Sequence, residues 1–267
     1  MAILSKLTSV ASVTSAADTA KSAGVKKDNL FNINYFLAGL VGITVFYASV
    51  RWYEGAYGFA GLDTYSLQYR LYWLNMLYAQ SIILLGVFVG LIFYLWKTRD
   101  RNLEALTPRE EVRRLFHLLT WLFCYAYAIY WGLSFFTEQS GTWNQTMIRD
   151  SDFTPLNIIR FYLSYPIFVI SGMGAFIYAR TSLPVFAKGY SLPFLLATAG
   201  PLMLIPTVGL SEWGRSFWIE ESLTGPMNYG YVFFGWFVLA IMGVVSQILK
   251  RYQELCGEAA KELVKRV

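Results

Sequence analysis

The sequence predicts an all-α, polytopic membrane protein with six transmembrane helices and both termini in the cytoplasm. Three observations carry that prediction. Hydrophobic residues make up 56% of the chain and charged residues 15%, against roughly 25% charged in an ordinary soluble domain. The charges that exist leave six charge-free stretches, 29–50, 71–96, 115–137, 161–179, 189–211 and 222–249. Each fits the ~20 residues that a helix needs to cross the hydrocarbon core, and none is long enough for two crossings. Lipid offers backbone groups no partner, so these stretches are read as helices. Finally, 17 of the 22 Lys and Arg residues fall on the side shared by the termini, which the positive-inside rule makes cytoplasmic. The net charge of +5 is therefore topological and does not indicate a nucleic-acid partner.

Taken in order, residues 1–28 form a polar, Ser/Thr/Ala-rich N-terminal tail without the apolar core of a signal peptide. Residues 29–250 hold the six-helix transmembrane domain, and 251–267 a cytoplasmic C-terminal tail. In the loop 97–114, Thr107 is placed to N-cap a helix with Pro108 at its first position. That helix is expected to run directly into the third span. Pro193, Pro201 and Pro206 make the fifth span the one expected to kink. No internal repeat of the transporter kind is visible. One His and two Cys leave almost no room for a zinc-finger, disulfide-scaffold or haem-attachment reading.

Three outer segments, 51–70, 138–160 and 211–221, combine aromatic and polar residues. Their acids are Glu54, Asp63, Glu138, Asp150, Asp152, Glu212, Glu220 and Glu221. The simplest reading is a solvated rim with interfacial Trp and Tyr anchors. A paired-carboxylate acid/base site or a hard-cation site is the sharper one, and nothing in the spacing demands either. Arg215 beside Glu212 and Glu220 suits a structural ion pair.

Six strings in these regions carry a resemblance. They are VRWYEGAYGFAGLD at 50–63, LWKTRDRNLEALTPREE at 95–111, AIYWGLSFFTEQ at 128–139, RDSDFTP at 149–155, FYLSYPI at 161–167 and GLSEWG at 209–214. Together they resemble the C subunit of the particulate methane and ammonia monooxygenases, in order and over nearly everything after about residue 30; the phrasing is closer to the methane branch. The resemblance implies a bacterial inner or intracytoplasmic membrane. It also implies partnership with the A and B subunits of the monooxygenase, three copies of that trio forming a larger ring, and copper-dependent hydroxylation of a small substrate by dioxygen.

The resemblance also implies two copper constellations in this chain, and here it departs from the family. Where the family pattern resembles Asp-Gly-Thr-Trp-His with a later His, this sequence reads Ser140-Gly141-Thr142-Trp143-Asn144 and then Asn157. Where the pattern resembles Asn-Glu-Trp-Gly-His with a further His, it reads Ser211-Glu212-Trp213-Gly214-Arg215 and then Asn228. Oxygen chemistry on copper favours imidazole nitrogen or soft sulfur, and Arg has no lone pair to give. None of the six positions is assigned as a metal ligand, and no catalytic residue is assigned.

The other donors do not rebuild a site. His117 sits at the cytoplasmic end of the third span, a core thickness of about 30 Å from the outer segments; it is read as a packed or snorkelling residue. Cys124 lies within that span and Cys256 in the C-terminal tail, so they are not expected to pair. Met147, Met173, Met203 and Met227 offer thioether to Cu(I), but methionine on helices is usually filler. A second reading is a stand-alone membrane channel or binding protein using the outer acidic rim. Against it, no charge-free stretch holds an interior charge, whereas ion pathways commonly bury them.

Overall fold

The computed structural model describes residues 33–136, 153–200 and 229–265. Among them every regular element is helical and there is no strand, as a lipid solvent requires. Five helices are long and apolar enough to cross a membrane. Helix α1 is Ile33–Tyr57, α2 Leu67–Lys97, α3 Pro108–Phe136 and α4 Pro155–Ser182. After the short α5, Pro184–Ala187, and α6, Leu192–Ala199, the last helix α7 is Tyr229–Lys265. The polar tail 1–28 lies outside the described residues.

The fifth charge-free stretch is the point of difference. Its described part, α6, has 8 residues, about 12 Å of helix, which cannot cross the core alone. The stretch continues from Pro201 outside the described residues, so five spans are seen where six are expected. Pro193 does not kink a helix. It occupies the first turn of α6, whose N-cap Ser191 accepts from the Phe194 N–H at 3.2 Å, and there its missing N–H costs nothing.

Thr107 caps α3 as its sequence foretells, accepting from the Glu110 N–H at 3.3 Å, and the helix then runs unbroken to Phe136. α3 is the centre of the bundle. Of its most apolar window 44% is buried, against 11% in α1 and in α2, and it touches α1, α4 and α7. α1 and α2 therefore turn most of their side chains outward, including Val41, Val45, Ile82 and Val89.

Small residues set the close contacts. A Cβ on Gly39 of α1 would lie 2.8 Å from Cys124 Sγ on α3, so Cys124 packs against a neighbouring helix and is a free thiol. A Cβ on Gly172 of α4 would lie 2.1 Å from the backbone oxygen of Thr198 on α6. Only glycine permits that crossing.

One end of the bundle is locked by ions. Arg114 pairs with Asp100 and with Glu110, and donates to the Ser182 carbonyl, joining the α2–α3 loop, α3 and the end of α4. Arg251 on α7 grips Glu111 on α3 through both carboxylate oxygens, at 2.8 and 3.1 Å. The bidentate geometry suits a guanidinium, and Glu111 is 3% exposed. α7 spans 37 residues, about 55 Å, so it outreaches a core of about 30 Å. Helix thus continues through residues 251–265.

Candidate functional site

The opposite end of the bundle gathers charge where α1, α3 and α4 meet. Helix α1 does not stop where its charge-free stretch stops. It continues through Arg51, Trp52, Tyr53 and Glu54, because backbone hydrogen bonding is indifferent to side-chain charge. The three-residue spacing puts Arg51 and Glu54 on one face. Arg51 Nη1 donates to Glu54 Oε2 at 2.9 Å and Nη2 to Ser134 Oγ at 3.0 Å. Ser134 Oγ donates to the Trp131 carbonyl at 2.6 Å. The Arg51 guanidinium carbon stands 3.8 Å above the Phe135 ring, a cation–π contact.

Glu54 is 7% exposed, and its second oxygen, Oε1, is buried without a hydrogen-bond partner among the described residues. This corrects the rim reading for that residue: Glu54 is an interior acid, and the observed spans carry interior charge. From α4, Arg160 is also buried, at 6% exposure, and its Nε donates to the Phe135 carbonyl at 2.7 Å. The last carbonyls of α3 lack intrahelical partners, and two cations at a helix C-terminus suit its dipole.

Wide turns aim these groups. Residues Ile158–Ser164 of α4 and Arg70–Leu74 of α2 are π-helical, a conformation found mostly as short bulges and frequently at functional sites. Aromatic residues fasten the same end. Trp73, fully buried, donates from Nε1 to the Tyr57 carbonyl at 2.9 Å. The Tyr53 hydroxyl donates to the Tyr72 carbonyl at 2.8 Å, and that of Tyr69 to the Phe153 carbonyl at 2.6 Å. Trp52 and Tyr65, each 68% exposed, fit the interfacial-anchor role; Trp73 does not.

Of the six positions that the resemblance marks for copper, Asn157 alone is among the described residues. It lies in the first turn of α4, one turn before Arg160, with its backbone N–H on the Thr154 hydroxyl at 3.2 Å. Asp63 forms a turn: its Oδ1 accepts from the Tyr65 N–H at 3.0 Å. Ser140, Asn144, Ser211, Arg215 and Asn228 lie outside the described residues. So do Glu138, Asp150, Asp152, Glu212, Glu220 and Glu221, and with them Met147, Met203 and Met227.

His117 is 18 positions before Phe135 on one continuous helix, about 27 Å away, so it takes no part in this cluster. Met173 faces a different groove, described below. Among the described residues no three His, Cys, Asp or Glu side chains converge on one point. The cluster itself offers two guanidiniums and one carboxylate, a donor set that does not suit copper. Sequence reading missed the Arg51–Glu54 and Arg160–Phe135 contacts, although the RWYE spacing was a usable signal.

A family model for the C subunit of ammonia monooxygenase/methane monooxygenase matches residues 17–259. The chain belongs to that family. A comparison with curated proteins finds no match. Membership makes the chain part of a membrane monooxygenase complex of a copper-containing class. The charged cluster of Arg51, Glu54 and Arg160 is therefore a feature of a monooxygenase subunit.

Proposed function

We propose that this chain is the C subunit of a particulate methane-type or ammonia-type monooxygenase that assembles with the A and B subunits but holds no copper at either family constellation. The complex is a trimer of heterotrimers in a bacterial inner or intracytoplasmic membrane, with both termini of this chain on the cytoplasmic side. It hydroxylates a small substrate with dioxygen, and the sequence phrasing favours the methane branch. The family match over residues 17–259 supports the assembly half of the reading.

The donor chemistry supports the other half. Ser140, Asn144, Asn157, Ser211 and Asn228 supply neutral oxygens or amides, and Arg215 supplies a fixed positive charge. These residues do not fit a copper ion. Two unit charges about 4 Å apart repel by roughly 4 kcal/mol at an effective dielectric of 20, so Arg215 opposes the metal. Buried Arg160, one turn from Asn157, adds charge of the same sign. Co-expression with tagged A and B subunits tests the assembly: this chain is expected to co-purify in equal amounts. Recovery of an A–B complex without it, with the chain folded and present in the same membrane, contradicts the reading.

A further inference from the structure

Between α4 and α6 lies an apolar groove of about 190 Å³, lined by Val169, Met173, Phe176, Leu195, Thr198 and Ala199. The Thr198 hydroxyl is consumed by the Phe194 carbonyl at 2.8 Å, so it adds no polarity. Met173 and Leu195, 39% and 37% exposed, mark the open, outward side. One turn beyond Phe176, toward the end that holds the ion-pair network, stands Arg180.

Arg180 is positioned differently from its neighbours at that end. Arg114, Lys188 and Arg251 each have a carboxylate. Arg180 instead donates from Nη1 to two backbone carbonyls, Phe186 at 2.7 Å and Gly189 at 3.2 Å. Its guanidinium carbon lies 5.5 Å from the Tyr190 ring centre, and Tyr190 packs in turn against Phe176 with ring centres 6.3 Å apart. Nη1 thus fixes the fork, leaving Nε and Nη2 without a partner among the described residues. A held guanidinium with two open donors is suited to a phosphate.

We propose that the groove and Arg180 together bind one anionic phospholipid, its acyl chain along Val169–Phe176 and its phosphodiester at Arg180. The dimensions agree. Eleven residues separate Val169 from Arg180 on one helix, about 16 Å, which is half a hydrocarbon core of about 30 Å and hence one leaflet. The charge agrees as well, because anionic headgroups are drawn to basic residues at the membrane surface. The site stands independently of the reaction that the complex performs.

The test is native mass spectrometry of the full chain released from bilayers of equal dioleoylphosphatidylglycerol and dioleoylphosphatidylcholine, so that only the headgroup differs. One phosphatidylglycerol is expected to be retained over phosphatidylcholine by about fivefold. Arg180→Gln removes that preference, Arg180→Lys keeps part of it, and Ala199→Phe, which fills the groove, lowers retention of both lipids. If Arg180→Gln does not fold, the preference of the native chain and the lowered retention of both lipids in Ala199→Phe still decide. Equal retention of the two lipids by the native chain overturns the proposal. So does unchanged retention in Ala199→Phe, the result expected if a helix from a partner protein covers the groove.

Discussion

Gly172→Leu is expected to cost about 3 kcal/mol or more, the upper range for overpacking, and to lower the thermal midpoint of the purified protein by about 10 °C. The first atom of any side chain at 172 would sit 2.1 Å from the Thr198 carbonyl oxygen and 2.9 Å from the Tyr125 hydroxyl. The carbonyl belongs to the backbone of α6 and cannot rotate away, so the helices must separate. Gly86→Leu is the control. A Cβ on Gly86 meets nothing within 4 Å, and α2 turns that face outward, so its midpoint should stay within about a degree or two of the native value. Equal midpoints for the two variants would mean that α4 and α6 do not cross as described.

The second large effect is expected at the cluster of Arg51, Glu54 and Arg160. Arg51→Met removes the cation that pairs with Glu54, leaving a carboxylate that is 7% exposed without that ion pair. Removing one partner of a buried pair typically costs about 3–5 kcal/mol. The lower end applies here, because the Arg51 side chain is 37% exposed and its own charge is partly hydrated. The double variant Arg51→Met with Glu54→Leu removes the stranded charge along with the pair, and it should recover most of the loss. Denaturation of the two singles and the double forms a cycle whose coupling term is the quantity of interest. A double variant no more stable than Arg51→Met alone would place the damage in lost packing on Phe135 instead.

That cluster also shows where sequence reading stops. Charge-free length locates spans well, because desolvating an ion in lipid is expensive, and the described spans fall on stretches so chosen. Length says less about the ends. Residue 50 is where the first stretch closes, yet α1 continues to Tyr57, since a charge that finds a partner and a carbonyl that finds a donor are tolerated inside a bundle. The partners of Arg51 and Arg160 lie on α3, 83 and 25 residues away in the chain, and no local pattern encodes that pairing. Thr107 and Pro108 were legible for the opposite reason: a cap satisfies N–H groups within its own first turn.

Family membership was legible in long strings around 50–63, 95–111 and 128–139, because extended runs of residues carry far more information than spacing. The donor types at Ser140, Asn144, Asn157, Ser211, Arg215 and Asn228 were legible as chemistry: an amide, a hydroxyl or a guanidinium offers no imidazole nitrogen, whatever its position. Their arrangement was not legible, since it depends on contacts between segments far apart in the chain. Asn157 alone is placed, at the start of α4 beside Arg160.

Copper stoichiometry on the purified complex of all three subunits tests the central claim most directly. The complex containing this chain is to be compared with one carrying Ser140→Asp, Asn144→His and Asn157→His, which supplies at those positions a donor set that suits copper. The substituted complex should gain about one copper per heterotrimer, with the native complex lacking it. Equal copper in both, localised to this chain, would contradict the claim and assign the metal to residues other than these.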